Sequence, residues 1–316
     1  MTLDTLRRKL WSLDGRGYPA YKSVRGRHGP LTIDRVQGDP FASPSRIRFQ
    51  PSAAVPFCAC PDQRRATGDF VLRALVQRLH RYAPRGGSGK SGAVWIEPPG
   101  QQVLDRTAVC VGEDGSVEVR LRVGLPARGR KILGDYAAEL LCDELPELIE
   151  STVEGLDAAA HRRHVECVED AVALRNALDE RGLVAFVAEG AILPRRGGHD
   201  DRPMLDGALP FAVPPELALE IHVPHRGPVR GLGIPTGVTL IVGGGYHGKS
   251  TLLAALQRGI YDHIPGDGRE QVVSATDTVK VRAEDGRAVH AVDISPFIGP
   301  LPGGRQTKSF KTDDAS

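Results

Sequence analysis

The sequence predicts two consecutive units of mixed helix and strand, an α+β unit followed by an α/β unit. Three observations lead there. Strand and helix signals fail to alternate regularly through the first half, which is the pattern of an α+β arrangement. A long helical stretch over 156–180 then leads into a buried apolar strand over 183–188. Finally, an apolar run over 238–242 enters a glycine-rich loop and leaves it as a helix. The boundary implied by these changes lies near residue 160, giving units of 1–160 and 161–316.

Taken in order, Leu3, Leu6, Leu10 and Leu13 recur at helical spacing until Gly15-Arg16-Gly17 ends the run. Short strands broken by Pro and Gly follow over 31–36 and 46–49. A helix is predicted from Asp69, read as its N-cap, to Tyr82. Strands come next over 93–97, 103–111 and 117–123, the last two joined by Gly112-Glu113-Asp114-Gly115. A helix over 136–142 precedes an acidic stretch to Glu154. The long helix over 156–180 stops at Arg181-Gly182, with the glycine as its C′ residue. Residues 195–203 read as a surface loop, and 217–223 and 238–242 as strands.

Charge is distributed unevenly. Residues 1–135 hold 23 Lys+Arg against 12 Asp+Glu, a net +11, whereas the remainder is −9, giving +2 for the 316 residues. A basic front suits an anionic partner such as nucleic acid, and equally a solvated arginine-rich surface or two units that attract each other. No apolar run reaches the ~18–20 residues that cross a bilayer, and the first residues lack the basic and apolar segments of a secretory signal. A cytosolic location without a membrane partner is expected. Five cysteines, an odd number without framework spacing, do not predict disulfides.

The most informative stretch is Gly243-Gly244-Gly245-Tyr246-His247-Gly248-Lys249-Ser250, which satisfies the pattern GxxxxGK[ST]. Triphosphate oxygens need several backbone N–H groups converging from one tight loop, and glycines allow the backbone to approach. Lys249 would reach the β- and γ-phosphates, and the Ser250 hydroxyl would ligate Mg²⁺. The helix that starts there turns its positive dipole end to the ligand, with Thr251 a candidate α-phosphate contact. ATP with Mg²⁺ is the expected ligand. The flanking order, strand then loop then helix, is what separates this motif from a chance glycine turn.

A similar stretch, Pro84-Arg85-Gly86-Gly87-Ser88-Gly89-Lys90-Ser91, has the reverse order: a helix precedes it and a strand follows. No helix amino terminus would face a phosphate there, so it reads as a loop. His161, His164 and Cys167 share one face of the long helix, but no fourth ligand is evident, and a partly exposed helix face is the favoured reading. No Gly-x-Ser-x-Gly elbow or His-Glu-x-x-His helix is present. The stretch 263–270, downstream of the loop's helix, is a charged turn or a contact for nucleotide or a partner. Asp293 ends a predicted strand and is a weak candidate for an approach to the metal.

With these residues in view, the second half resembles the predicted ATPases of the ABC class, a soluble family distinct from the membrane transporters. The resemblance runs from Ile234 through the loop to Leu253, and again through 259–270, 281–287 and 293–298. The first half is similar to the family's amino-terminal domain in 36–41, 89–92 and 123–127. The resemblance implies a P-loop domain of ABC type, ATP and Mg²⁺ as cofactors, and a homodimer. Family members continue beyond the position of Ser316 into a Gly/Ser-rich signature and a strand ending in acidic residues. The residues themselves agree, since only about 60 follow the loop's helix, too few for the rest of a parallel sheet with crossovers. No apolar strand ending in Asp-Glu follows Lys249. The expectation is therefore an incomplete P-loop domain that binds ATP, with no catalytic residue assigned and hydrolysis in question. The other two function classes are a nucleic-acid-binding module in the basic half and a small-molecule kinase; neither an acceptor-activating carboxylate nor a basic lid supports the latter.

Overall fold

The computed structural model describes residues 2–243, 247–281, 287–296 and 307–315. The chain forms two compact units, Met1–Thr276 and Asp277–Ser316.

The first unit opens with α1 (Leu3–Ser12), whose N-cap Thr2 accepts a hydrogen bond from the Thr5 amide and whose Leu6 and Leu10 are fully buried. The leucine period therefore marks a true core face. Around it lies an antiparallel sheet of β1 (Gly26–His28), β2 (Leu31–Arg35), β3 (Ser45–Phe49), β4 (Val94–Trp95), β6 (Val109–Val111) and β7 (Val117–Val123), with β5 (Gln102–Val103) outside it. Its order is β1-β2-β3-β7, and β4 and β6 share the far edge of β7. Alternation decides the two faces. Val117, Val119, Leu121 and Val123 point into the core, where α1, α2 (Pro61–Leu79) and α4 (Leu145–Glu154) cover them, while Arg120 and Arg122 point outward.

Two helices differ from expectation. Asp69 is not an N-cap: α2 begins eight residues earlier, with Pro61 in its first turn, where a missing N–H costs nothing. Asp69 lies buried within the helix, paired with Arg73 at 2.6 Å and His164 at 3.2 Å. The predicted break after Cys142 is absent as well. Helix α3 (Gly134–Glu139) continues through a π-turn at Leu140–Glu144 into α4. The wider turn lies just ahead of Pro146, which lacks an N–H to donate.

After the small hairpin of β8 (Ala127–Arg128) and β9 (Lys131–Ile132), α5 (Ala158–Glu180) is capped by Asp157, whose carboxylate accepts from the Ala159 and Ala160 amides at 2.9 and 3.0 Å. Gly182, at φ +63°, follows its C-cap Arg181, as the sequence predicts. A second antiparallel sheet then forms in the order β13-β14-β10-β16. Its strands are β10 (Leu183–Ala188), β13 (Ala218–Val223), β14 (Gly227–Pro235) and β16 (Val272–Ser274). Neighbouring residues of β10 look opposite ways. Phe186 packs with Leu174 and Leu178 of α5, whereas Val187 packs with Ala255 of α6 (Lys249–Arg258). The sheet is thus held between these two helices. Residues 195–203, expected as a loop, form the hairpin of β11 (Arg195–Gly197) and β12 (Asp200–Pro203), and β15 (Asp262–His263) pairs with β5. In the second unit, β17 (Arg287–Val292) pairs antiparallel with β18 (Phe310–Ala315).

The segment 238–242 is not a strand. Val238, Leu240 and Val242 are 102%, 82% and 74% exposed and belong to no ladder. The strand of this region is β14, just upstream, whose Gly231 and Gly233 sit beneath large neighbours. A Cβ at Gly231 would lie 2.4 Å from the Phe186 ring, and one at Gly233 would lie 2.4 Å from Leu219. These glycines make β14 look like a turn in sequence and are what let the sheet close over Phe186.

Candidate functional site

The glycine-rich loop is delivered to the start of α6, and that helix is well anchored. Ala255 is fully buried, and Leu252 and Leu256 pack against Val187 and Val272. The Ser274 hydroxyl donates to the Leu256 carbonyl at 2.8 Å. The opposite end of the helix is open to solvent: His247, Gly248 and Ser250 are exposed, and Lys249 and Thr251 are half-buried. Gly248 occupies the N-cap position at φ +82°, a conformation that suits glycine. Among the described residues no side chain caps this end, and no acidic residue lies in its first turn, so its first amide N–H groups have no acceptor within the helix.

Lys249 folds back across the loop. Its ammonium donates to the Gly243 carbonyl at 2.5 Å, and its Cδ would lie 3.8 Å from a Cβ at Gly243. Gly243 and His247–Lys249 therefore bring a lysine, a helix amino terminus and a glycine-lined turn to one place. Gly244, Gly245 and Tyr246 lie outside the described residues. The arrangement suits a triphosphate: it brings amide donors and the Lys249 side chain together, with no acidic residue in the first turn of α6.

The stretch 263–270 is more than a charged turn. Asp267 is fully buried and meets Arg195 at 2.6 Å and His263 Nδ1 at 2.7 Å. Arg269 is also buried and donates through Nε to the Leu193 carbonyl at 3.0 Å. Its burial, reinforced by the charge of Arg195, pushes its pKa down to about 10. Next to this turn, buried Asp262 receives Arg65 of α2 at 2.5 Å and Arg175 of α5 at 2.8 Å. Sequence reasoning did not find Asp262, Arg65 or Arg175. Their partners lie 197 and 87 residues apart in the chain, and no local spacing signals such pairs.

His161 and His164 are buried at the contact of α5 with α2 rather than on a partly exposed face, because Phe57, Phe70, Thr67 and Asp69 cover them. Cys167 donates to the His263 carbonyl at 3.5 Å, and burial raises its thiol pKa well above the ordinary value. Among the described residues no group of three His, Cys, Asp or Glu could hold a metal ion. In the second glycine-rich stretch Lys90 donates to the Ala42 carbonyl at 2.9 Å and Ser91 accepts from the Ala127 amide at 3.0 Å. Its groups close the fold locally, and it is a loop as expected. Asp293 lies in the second unit, where it accepts from the amide and hydroxyl of Ser295 at 2.9 and 2.6 Å, which lowers its pKa. No helix among the described residues is long and apolar enough to cross a membrane.

Residues 157–316 match the family model of the ABC-class ATPase P-loop domain, and residues 3–156 match the model described as the ATPase of the ABC class N-terminal. An uncharacterized protein of Methanocaldococcus jannaschii is 36% identical over 138 residues. That match covers 42% of this chain and 31% of the relative, so the chain spans under a third of the relative's length.

Proposed function

This chain belongs to the ABC-class ATPases, and from that premise we propose that it binds Mg²⁺-ATP at the loop of residues 243–250. The observation that carries the reading is the amino terminus of α6, with no acidic residue in its first turn and no side-chain cap among the described residues, and the Lys249 side chain laid across Gly243. Backbone N–H groups of 245–249 cradle the phosphates. Lys249 would turn from the Gly243 carbonyl to the polyanion, Ser250 would hold Mg²⁺, and Thr251 would contact the α-phosphate. The metal, held by Ser250, would supply positive charge to offset that of the phosphates. The proposal is for binding; no described residue is assigned to activate water.

A charged hydrogen bond contributes ~1.5–3 kcal/mol. Lys249→Ala should therefore weaken ATP binding by ~10- to 100-fold, measured by titration calorimetry with Mg²⁺ present. An unchanged dissociation constant would remove Lys249 from the site.

A second reading, binding of single-stranded nucleic acid, is favoured by the outer face of the first sheet. Arg35, Arg46 and Arg122 stand directly opposite one another on β2, β3 and β7, and Trp95 of β4 continues the row. Like charges in register weaken a sheet, yet these three arginines have no ion pair among the described residues. Arg46 and Arg122 border a concavity of about 620 Å³ in which Trp95 is 39% exposed. Guanidinium groups beside an exposed indole suit phosphates beside a stacked base. Anisotropy with a labelled oligonucleotide should show salt-dependent binding, and Arg122→Ala should reduce the log–log salt slope by ~0.7. No binding at low salt would end this reading.

A further inference from the structure

We infer that Arg175, Asp262 and Arg65 form a relay coupling the phosphate-binding helix to the amino-terminal domain, so that nucleotide at one end of α6 is sensed in α2. The inference rests on the proposed ATP site and adds a route by which its occupancy leaves that site.

The relay begins at the carboxyl end of α6. Arg175 of α5 donates through Nη2 to the Gly259 carbonyl, the C-cap of α6, at 3.2 Å and through Nη1 to Asp262 Oδ1 at 2.8 Å. The other oxygen of Asp262 accepts from Arg65 Nη2 at 2.5 Å. Arg65 belongs to α2, inside the region matching the family's amino-terminal domain, and it also meets Asp62 at 3.0 Å. One carboxylate, 4% exposed at its side chain, thus serves two guanidinium groups from separate elements. A second tether runs beside it. The strand β15, carrying Asp262 and His263, pairs with β5 through Asp262–Val103 and His263–Gln102, and Gln102 in turn donates to Asp201 at 2.6 Å.

A helix dipole favours anions at its amino end and cations at its carboxyl end. A triphosphate at Lys249 and the Arg175 guanidinium at Gly259 would therefore act on the same short helix of ten residues from opposite ends. A buried charge that loses one of its partners is penalised far more than the intact pair contributes. Displacing α6 by about an ångström would break or lengthen a bond to Gly259 or Asp262, so positions of α6 that keep the relay intact are strongly preferred. Whatever nucleotide does to the preferred position of α6 then changes the equilibrium of α2, and the effect is reciprocal.

The test is hydrogen exchange, read by mass spectrometry on the full chain with and without Mg²⁺-ATP, together with ATP affinity. In the unaltered protein, ATP should slow amide exchange in α2 as well as around the loop. Arg65→Gln changes a side chain that is 26% exposed and far in sequence from the loop; Asp262→Asn is the second variant and removes the central charge. Each should abolish the ATP-dependent protection of α2 and weaken ATP binding by about fivefold or more. Loss of stability alone, with ATP-dependent protection of α2 retained and affinity unchanged, would overturn the relay. ATP binding that leaves α2 untouched in the unaltered protein would overturn it equally. If the unaltered protein does not bind ATP, the proposed function fails and the relay with it.

Discussion

Acidification should loosen the contact between α2 and α5 through His161. This ring is 1% exposed, lies 4.9 Å from the Phe70 ring in a stacked geometry, meets Phe57 edge-on at 5.1 Å, and shares a 2.9 Å hydrogen bond with Thr67. Burial is the main reason its pKa falls from 6.5 to about 4, and the neighbouring His164 adds to it. Charged groups at this contact include the Asp69–Arg73 pair, Arg162, which lies over Phe57, and Glu169, which accepts from Gln63 of α2 at 2.8 Å. Because the folded pKa lies below the unfolded one, the unfolded chain takes up the proton first. The stability that His161 contributes is therefore complete above pH 6.5 and is lost as pH falls from 6.5 toward 4. Linkage gives a loss of ~2 kcal/mol by pH 5 and ~3 kcal/mol by pH 4. Urea unfolding at half-unit pH steps from 7.5 to 5 should show this loss in the unaltered protein. His161→Phe, which keeps an aromatic ring between Phe57 and Phe70, should lack that component. Equal pH slopes in the two proteins would refute the reasoning. Asp34 and Asp143, held low by hydrogen bonds from Arg48 and Arg7, lose their contributions only as pH falls through lower values, which keeps the histidine window distinct.

Further outcomes follow from packing and buried charge. Gly124→Ala places a Cβ 1.7 Å from the Lys90 carbonyl oxygen, and the required backbone shift should lower stability by roughly 2–4 kcal/mol, read from the urea midpoint. Asp267→Ala leaves Arg195 and His263 facing an uncompensated buried site. It should cost roughly 3–5 kcal/mol, whereas Asp200→Ala, on an exposed pair with Arg202, should cost under about 1 kcal/mol. Phe186→Ala, which opens the core between α5 and the second sheet, should cost ~3–5 kcal/mol in the same assay.

Legibility in sequence followed locality. The leucines of α1, the strand run of β7 and Gly182 closing α5 depend on neighbours a few residues apart, and each was readable. The start of α2 was not. Gly68 looks like a helix breaker until the close approach of β6 is known, where a Cβ would lie 3.3 Å from the Val109 carbonyl. In the same way β14 hid behind Gly231 and Gly233, and the apolar run at 238–242 took its place in the reading although its side chains are exposed. At the site, the motif located α6 and Lys249, because phosphate chemistry demands fixed residue types at fixed spacing. The buried charges around Asp262 and Asp267 were invisible, since their partners come from helices and strands distant in the chain. Gly244, Gly245 and Tyr246, part of the predicted loop, lie outside the described residues.

A crystal structure of the full chain with Mg²⁺ and a non-hydrolysable ATP analogue tests the central claim most directly. The triphosphate should lie against the amides of Gly248 and Lys249, with the Lys249 ammonium moved from the Gly243 carbonyl to a phosphate oxygen and Ser250 on the metal. An analogue bound elsewhere, or Lys249 still on Gly243 beside a bound nucleotide, would contradict the account.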